Sequence, residues 1–586
     1  MIKLSDFIFQ FLKEHSVNQC FVLPGGGAMH LVDSLGKSSM KYVAFQHEQG
    51  AACAAEAYGQ HTGTPGLLLV TSGPGATNAI TPVAAGYLDS TPMFVISGQA
   101  KRSDLVGNRG VRQTGSQELP IIPMVKPVTK YALEIMEPTE IQYHLERAWH
   151  EATTGRPGPV WLSIPLDVQG AIIDEDELKG YLPEEQLESD YKEVATRCAE
   201  LLKSSTKPLL LAGNGIHLSK GESALYKLLE LAPIPVQTTW KSIGLFGEEH
   251  PLYCGHPGIM GDRGANLLLQ EADLLLVIGS RLDTSLTAFD EPHFGKNAKK
   301  VIIDIDKNEI DRMDMNIVLS MACDAKKFME TLHTVLVSKR LPIDMWKDWI
   351  AHGKTLRKRY PVVTSVHKNK QKVVSPYYFI NRLCDLLTSE DVIVPESSGG
   401  AGEITYQAFR LKQGQKMKNA AGLGSMGFGL PYAIGSCIAN EGRRTVLING
   451  DGAFQLNIQE LETLHRLNLP VKIFIWCNDG YASIRSMQSG NFGRYVASGP
   501  ESGFTVPDVC KVAAAYGLRT YRMKNNEEME KLLPEILADS GPVLCAVQTD
   551  PFETVSPRVK AIPQPDGSMK SGALEAMWPP LEVKIL

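Results

Sequence analysis

The stretch NGDGAFQLNIQELETLHRLNLPVKIFIWCNDGYASI, residues 449–484, decides how this 586-residue chain is read. Just before it, RRTVLI (443–448) is β-branched and apolar enough for a buried strand, and it stops at the turn Gly450-Asp451-Gly452. Leu456, Ile458, Leu461, Leu464 and Leu467 then recur at helical spacing over 455–467, and Pro470 precedes a second apolar run, Val471 to Cys477. Strand, helix and strand in that order form a βαβ unit, which predicts two adjacent parallel strands. Ligands of such sheets bind beyond the carboxyl ends of the strands, where Asp451 and Asn478 both fall.

Asp451 offers a carboxylate, Asn478 an amide carbonyl and Gly480 a backbone carbonyl, the hard oxygen set that Mg²⁺ shares with phosphate. Gly450 and Gly452 let the backbone approach a phosphate closely, and the N-terminus of the following helix supplies amide donors. Alone, a GDG tripeptide is only a turn, and Asn478 is equally a helix cap. The 25 residues between Gly452 and Asn478, set in a strand-helix-strand frame, favour a magnesium diphosphate.

Three further motifs accompany this stretch: FQHEQGAACAAEAYGQHTG (45–63), LVTSGPGATNAI (69–80) and AGLGSMGFGLPYAIG (421–435). In their company the chain resembles the thiamine diphosphate (ThDP) enzymes, and within them the acetolactate synthase and pyruvate oxidase group, over nearly its whole length. A chain this long exceeds one core, and three domains are expected on length alone. The resemblance implies the same count, as an α/β fold of three doubly wound parallel-sheet domains. A pyrimidine-binding domain spans 1–173, a central domain 194–345 and a diphosphate-binding domain 375–555. Linkers fall at 174–193 and 346–374, and a tail at 556–586 carries turn signals at Pro565-Asp566-Gly567 and Pro579-Pro580 and wraps over the surface or a site.

The resemblance assigns roles residue by residue. Glu48 is the carboxylate set against the pyrimidine of the cofactor, where an apolar cleft would make it hold a proton more tightly. It also suits the first turn of a helix, because the run Ala51 to Ala57 is helical in composition. Gln117 corresponds to an active-site glutamine, although the aromatic residue that precedes it in the family is Ser116 here, and a surface amide is the alternative. Gly26, Pro74, Asn78, Gly424, Met426, Gly450, Gly452, Ala453 and Tyr481 are cofactor-binding. Met426 is the bulky hydrophobe beneath the bent cofactor, or else an ordinary core methionine. Asp451, Asn478 and Gly480 hold the metal. In the central domain Arg281 and Asp283, within GSRLDTSLT, resemble an FAD-contacting strand end, with Gly258 to Gly261 and Asp304 to Asp306 nearby. The resemblance favours FAD there, against a departure at Gly213-Asn214-Gly215 and against related enzymes that keep the domain without the flavin.

Which reaction follows depends on the absence of acid-base groups. Simple decarboxylases of this type place an acid after the first Pro-Gly, two histidines in a substrate loop and a glutamate after the metal loop; this chain has Gly26, Gln113-Thr114 and Ile484. Without a proton relay the reacting carbon survives to attack a second carbonyl, so carbon–carbon bond formation is expected. The tryptophan that sets acceptor preference in acetolactate synthases aligns with Met487, and His30, a substrate contact or a helix cap, replaces a proline. The segments LPGGGAMHLVDSLG and GVRQTGSQELP resemble acetolactate synthase-like proteins of surface-polysaccharide pathways, for which a keto sugar is a candidate acceptor. Alternatives are a decarboxylase, an oxidase or a cyclic diketone hydrolase; a non-catalytic paralogue is disfavoured by the intact Glu48, Asp451 and Asn478.

A net charge of −6 argues against nucleic acid or a membrane surface as partner, and no apolar run of about 18 residues spans a bilayer. The ten cysteines contain no CxxC pair, as expected for reduced thiols in a cytoplasmic enzyme. The resemblance implies a homodimer or homotetramer whose sites lie at the subunit interface, Glu48 of one chain serving Asp451 of another. The small-molecule partners are a 2-oxo acid and a carbonyl acceptor.

Overall fold

The computed structural model describes residues 1–184, 190–342, 344–566 and 568–580. Part of the 174–193 segment and Gly567 of the expected tail turn lie outside the described residues.

Three parallel sheets organise the chain. The first carries β1 (Gln19–Val22), β2 (Lys41–Ala44), β3 (Gly66–Val70), β4 (Met93–Gln99), β5 (Tyr131–Glu134) and β6 (Pro159–Pro165), in the order β2-β1-β3-β4-β6-β5. The second carries β7 (Pro208–Ala212), β8 (Val236–Thr238), β9 (Leu274–Ile278), β10 (Lys299–Asp304) and β11 (Ile317–Ala322), in the order β8-β7-β9-β10-β11. The third carries β12 (Val392–Pro395), β13 (Lys416–Met417), β14 (Thr445–Gly450), β15 (Val471–Cys477), β16 (Arg519–Met523) and β17 (Val543–Gln548), ordered β13-β12-β14-β15-β17-β16. The first and third sheets therefore share one topology. In all three the order reverses between the first and third strands in sequence, which opens a crevice beyond their carboxyl ends.

The βαβ unit that opens the reading is present, with β14 and β15 adjacent and parallel, Thr445 opposite Val471 and Gly450 opposite Trp476. The helix between them is not continuous. Asp451–Phe454 forms a short helix, 455–457 a 3₁₀ turn, and regular helix resumes at Glu460–Leu467. Leu456 is consequently exposed rather than part of an apolar stripe.

The first and third sheets are joined by two small-residue helices. Glu48–Thr62 begins at His47, whose ring accepts the Gln49 amide at 3.0 Å, and ends at Gly63 with φ 71°. Its alanines pack on the helix Gly429–Ala439 so closely that a Cβ on Gly435 would lie 2.4 Å from the Ala54 carbonyl oxygen. One apolar cluster thus runs from Phe21 and Val70 of the first sheet to Leu447 and Ile473 of the third. Glu460 ties the same junction by accepting the Gln46 and His47 amides at 3.3 and 3.1 Å.

The segment 346–374, expected as a linker, contains the helix Lys347–Arg359 docked on the central domain. Trp346 and Trp349 are buried there and donate their indole N–H groups to Ser205 O and Pro208 O. The tail folds back over the central domain: Asn266 donates to Leu574 O, Arg263 to Met577 O and Pro579 O, and Leu574 and Met577 join the central core. All ten cysteines are free thiols. Among the described residues no helix is long and apolar enough to cross a membrane.

Candidate active site

Asp451 follows directly on β14, and Asn478 directly on β15, so parallel pairing brings the two together. The Asp451 carboxylate accepts four backbone amides: Gly452 at 2.8 Å and Gly480 at 3.2 Å on Oδ1, Asp479 at 2.9 Å and Asn478 at 3.0 Å on Oδ2. Positive φ at Asp479 (62°) and Gly480 (111°) aims those amides inward. Four amide donors stabilise the ionised form, yet burial outweighs them and pushes the carboxyl up to about 6.

The Asn478 side-chain oxygen lies 2.9 Å from Gly480 O and 3.2 Å from Asp451 Oδ1. Three oxygens converge with no hydrogen between them. Rotating the amide gives two hydrogen bonds instead, whereas a hard cation stabilises the oxygens where they stand. The donor set, one carboxylate and two carbonyls, fits Mg²⁺; among the described residues no group of three or more His, Cys, Asp or Glu is assembled for another metal.

Asn478 and Gly480 open onto a cavity of about 450 Å³, with the buried Asp451 behind them. Gly450, Ala453, Met426, Asn478, Gly480 and Tyr481 line it, with Ile484 and Met487 as exposed apolar wall, 41 % and 57 % accessible. A Cβ on Gly450 would meet no protein atom within 4 Å, so this glycine leaves open space for a bound group. Gly452 is also demanded by packing: a Cβ there would sit 2.7 Å from the Tyr481 ring, itself stacked on Phe504 at 4.2 Å between centroids. Gly424 takes φ 67° two residues before Met426.

Glu48, Gly26, Pro74, Asn78 and Gln117 are not in this cavity, whose lining begins at Met260. They form a second cluster at the carboxyl ends of β1, β2 and β3. Glu48 is 8 % exposed and accepts Asn78 Nδ2 at 3.0 Å on Oε2; its Oε1 lies 3.3 Å from where a Cβ of Gly75 would be. Pro74 starts the short helix that ends at Asn78. Gln117, exposed and with φ 56°, presses its carbonyl on Gly73, where a Cβ would come within 2.5 Å. Around Gly26 there is room for a side chain. His30 lies inside the helix Met29–Lys37, which has no side-chain cap hydrogen bond, and its ring packs on Gly170, 3.0 Å from a Cβ built there.

Arg281 and Asp283 border another cavity, of about 530 Å³, at the carboxyl ends of β7, β9 and β10. Gly258 to Gly261, Asp304, Ile305, Asn214 and Gly215 line it too, so the separate central-domain segments singled out in the sequence converge. Asp283 also has a local task, accepting Ser285 N and Leu286 N at 2.9 and 3.2 Å. Gly213 is demanded by packing, since a Cβ would lie 2.1 Å from Gly279 O.

Three charged groups in and around these domains carry no local sequence signal. Glu396, buried at the end of β12, accepts Ser397 N and Gly429 N, and burial raises its carboxyl to about 7. Glu403 lines both cavities, which also share Met260, and burial raises it to about 7. Arg558 arrives from the tail.

Comparison with known proteins accounts for this architecture. Residues 2–121 match the thiamine pyrophosphate enzyme N-terminal TPP binding domain, 195–332 the central domain, and 398–547 the C-terminal TPP binding domain. A probable acetolactate synthase large subunit of Methanocaldococcus jannaschii is 32% identical over 567 residues, covering 94% of this chain and 93% of that protein. The acetolactate synthase isozyme 1 large subunit of Escherichia coli K12 is 30% identical, covering 95% of each. Acetolactate synthase 2, chloroplastic, of Nicotiana tabacum is 32% identical over 95% of this chain and 83% of its own length.

Proposed function

The chain belongs to the thiamine pyrophosphate enzymes, and from that premise we propose that it decarboxylates a 2-oxo acid such as pyruvate and joins the remaining acyl unit to a second carbonyl compound. The observation that carries this is the convergence of Asp451, Asn478 and Gly480 oxygens, the last two residues lining a cavity whose wall at Ile484 and Met487 is apolar. With pyruvate in both roles the step balances as two pyruvates and one proton giving acetolactate and CO₂. The carboxylate leaves as CO₂, a bond forms between the two carbonyl carbons, and the proton goes to the acceptor oxygen.

ThDP, when bound, supplies the nucleophilic carbon that adds to the 2-oxo acid. The protein's part is binding, orientation and control of protons. Asp451, Asn478 and Gly480 would hold Mg²⁺ and through it the diphosphate, while Met426 would support the cofactor from the cavity wall. Ile484 and Met487 present no proton donor to the reacting carbon, which favours attack on an acceptor over protonation. Asn78 holds Glu48 in place by its 3.0 Å hydrogen bond, and Glu48 would exchange a proton with the pyrimidine.

Because Glu48 and its neighbours do not line the cavity of Asn478 and Gly480, the reading extends to a homodimer or larger assembly, with the Glu48 cluster of one subunit completing the cavity of another. Convergence of the central-domain segments on one 530 Å³ cavity favours FAD as a further cofactor. Ten free cysteines suit a cytoplasmic setting. The test is incubation with ThDP, Mg²⁺ and pyruvate, alone and with candidate carbonyl acceptors, with products identified by mass spectrometry. Coupled products are expected; acetaldehyde as the sole product in every mixture would overturn the reading.

A further inference from the structure

Most charged side chains that line the catalytic cavity already have partners. Asp550 and Glu553 share the Lys370 ammonium. Lys560 sits 3.9 Å from the centroid of the Trp578 ring. Arg558 differs: among the described residues its guanidinium makes no ion pair and no side-chain hydrogen bond, and its Nε is buried without an acceptor. A buried guanidinium N–H left unmet is costly, so its retention at a cavity wall points to a ligand.

The backbone that carries Arg558 is fixed from two domains. Arg558 and Trp578 exchange N–H···O bonds of 2.9 and 2.7 Å, and Val559 N donates to Ile259 O of the central domain at 2.7 Å. On the other side Gln407 Nε2 donates to Pro557 O at 2.6 Å, and Ser556 N to the Tyr377 hydroxyl at 2.8 Å. A planar, permanently charged fork held this way matches a carboxylate or phosphate. Glu403 is the carboxylate that feels its charge, but no ion pair joins them, and burial makes Glu403 hold its proton up to about 7.

We propose that Arg558 anchors the anionic group of the carbonyl acceptor, a carboxylate or phosphate borne by the molecule that receives the acyl unit. The proposal rests on the carboligase reading above. The donor is the poorer candidate. Its carboxylate departs as neutral CO₂, so an arginine on it would stabilise the ground state against the step, whereas an anion on the acceptor keeps its charge throughout.

The test uses the holoenzyme with ThDP and Mg²⁺, pyruvate as donor, and three acceptors: 2-oxobutyrate, glyceraldehyde 3-phosphate and neutral glyceraldehyde. Arg558→Gln should lower kcat/KM roughly 10- to 100-fold for whichever anionic acceptor the unaltered enzyme prefers, mainly through KM. Glyceraldehyde coupling and single-turnover CO₂ release from pyruvate should change by no more than about twofold, and Arg558→Lys should fall between. Preference for 2-oxobutyrate or for glyceraldehyde 3-phosphate tells carboxylate from phosphate. Equal losses with charged and neutral acceptors, no loss, weakened ThDP binding or slowed CO₂ release in Arg558→Gln would each overturn the assignment. Failure of the unaltered enzyme to release CO₂ from pyruvate would be a different result, defeating the carboligase reading beneath it.

Discussion

At the scale of single residues, the proposed carboligation puts its weight on what stands at Ile484. This side chain opens the helix Ala482–Phe492, lines the cavity and is exposed enough to be replaced without loss of packing. Ile484→Glu should introduce a proton donor beside the reacting carbon and raise the ratio of acetaldehyde to coupled product by at least ~10-fold, within the usual reach of general acid catalysis; an unchanged ratio measured by gas chromatography would contradict it. Glu396 offers a pH test. Its folded pKa, near 7, is raised from 4.5 by burial, so it contributes stability that is present below about 4.5 and is lost as pH rises through 7. The upper bound is about 3 kcal/mol. The melting temperature of the unaltered protein relative to Glu396→Gln should therefore decline between pH 5 and pH 9, and a difference that does not vary with pH would refute the assignment. Asp451 and Asn478 were legible in the sequence because a strand-helix-strand spacing converts distance along the chain into proximity. Arg558 was not, because its position depends on a tail folding back on residues some 300 earlier in the chain, such as Ile259.

At the scale of elements, the contact between helices Glu48–Thr62 and Gly429–Ala439 is set by small residues on both sides. Gly435→Leu must force the helices apart against the Ala54 carbonyl, and a loss of about 1–3 kcal/mol or more is expected, read as a lowered denaturation midpoint. Retained stability would mean that the junction is looser than described. The alanine-rich first helix was legible from composition, yet its partner was not, since two apolar helices say nothing in sequence about each other. The helix Lys347–Arg359 escaped recognition for another reason. Its charges suggest a linker, while two tryptophans carry its attachment, with exposed Lys and Arg covering the rest. The helix expected over 455–467 failed at Leu456, where the chain leaves the Asp451 turn through 3₁₀ geometry before regular helix resumes.

At the scale of the whole molecule, the first and third sheets repeat one strand order, and the candidate residues of each fall beyond the carboxyl ends of its strands: Glu48 after β2, Asp451 after β14 and Asn478 after β15. Alternating strands and helices predicted parallel sheets, but the edge order depends on long-range pairing that periodicity does not encode. The Glu48 cluster and the metal-site residues therefore sit at the carboxyl ends of two similar sheets, and in one chain Glu48 does not line the cavity of Asn478 and Gly480. Co-folded hybrids of Glu48→Gln and Asp451→Ala chains, each inactive alone, should recover about a quarter to a half of the activity per dimer if sites are shared between subunits; verified hybrids with no recovery would rule out sharing. The central claim, that this protein joins two carbonyl carbons, is tested most directly by ¹³C NMR of its products from [2-¹³C]pyruvate with ThDP and Mg²⁺. Coupling of two pyruvates makes the labelled carbons neighbours, so the account predicts one-bond ¹³C–¹³C doublets that disappear in Asp451→Ala. Singlets of acetaldehyde or acetate alone would contradict it.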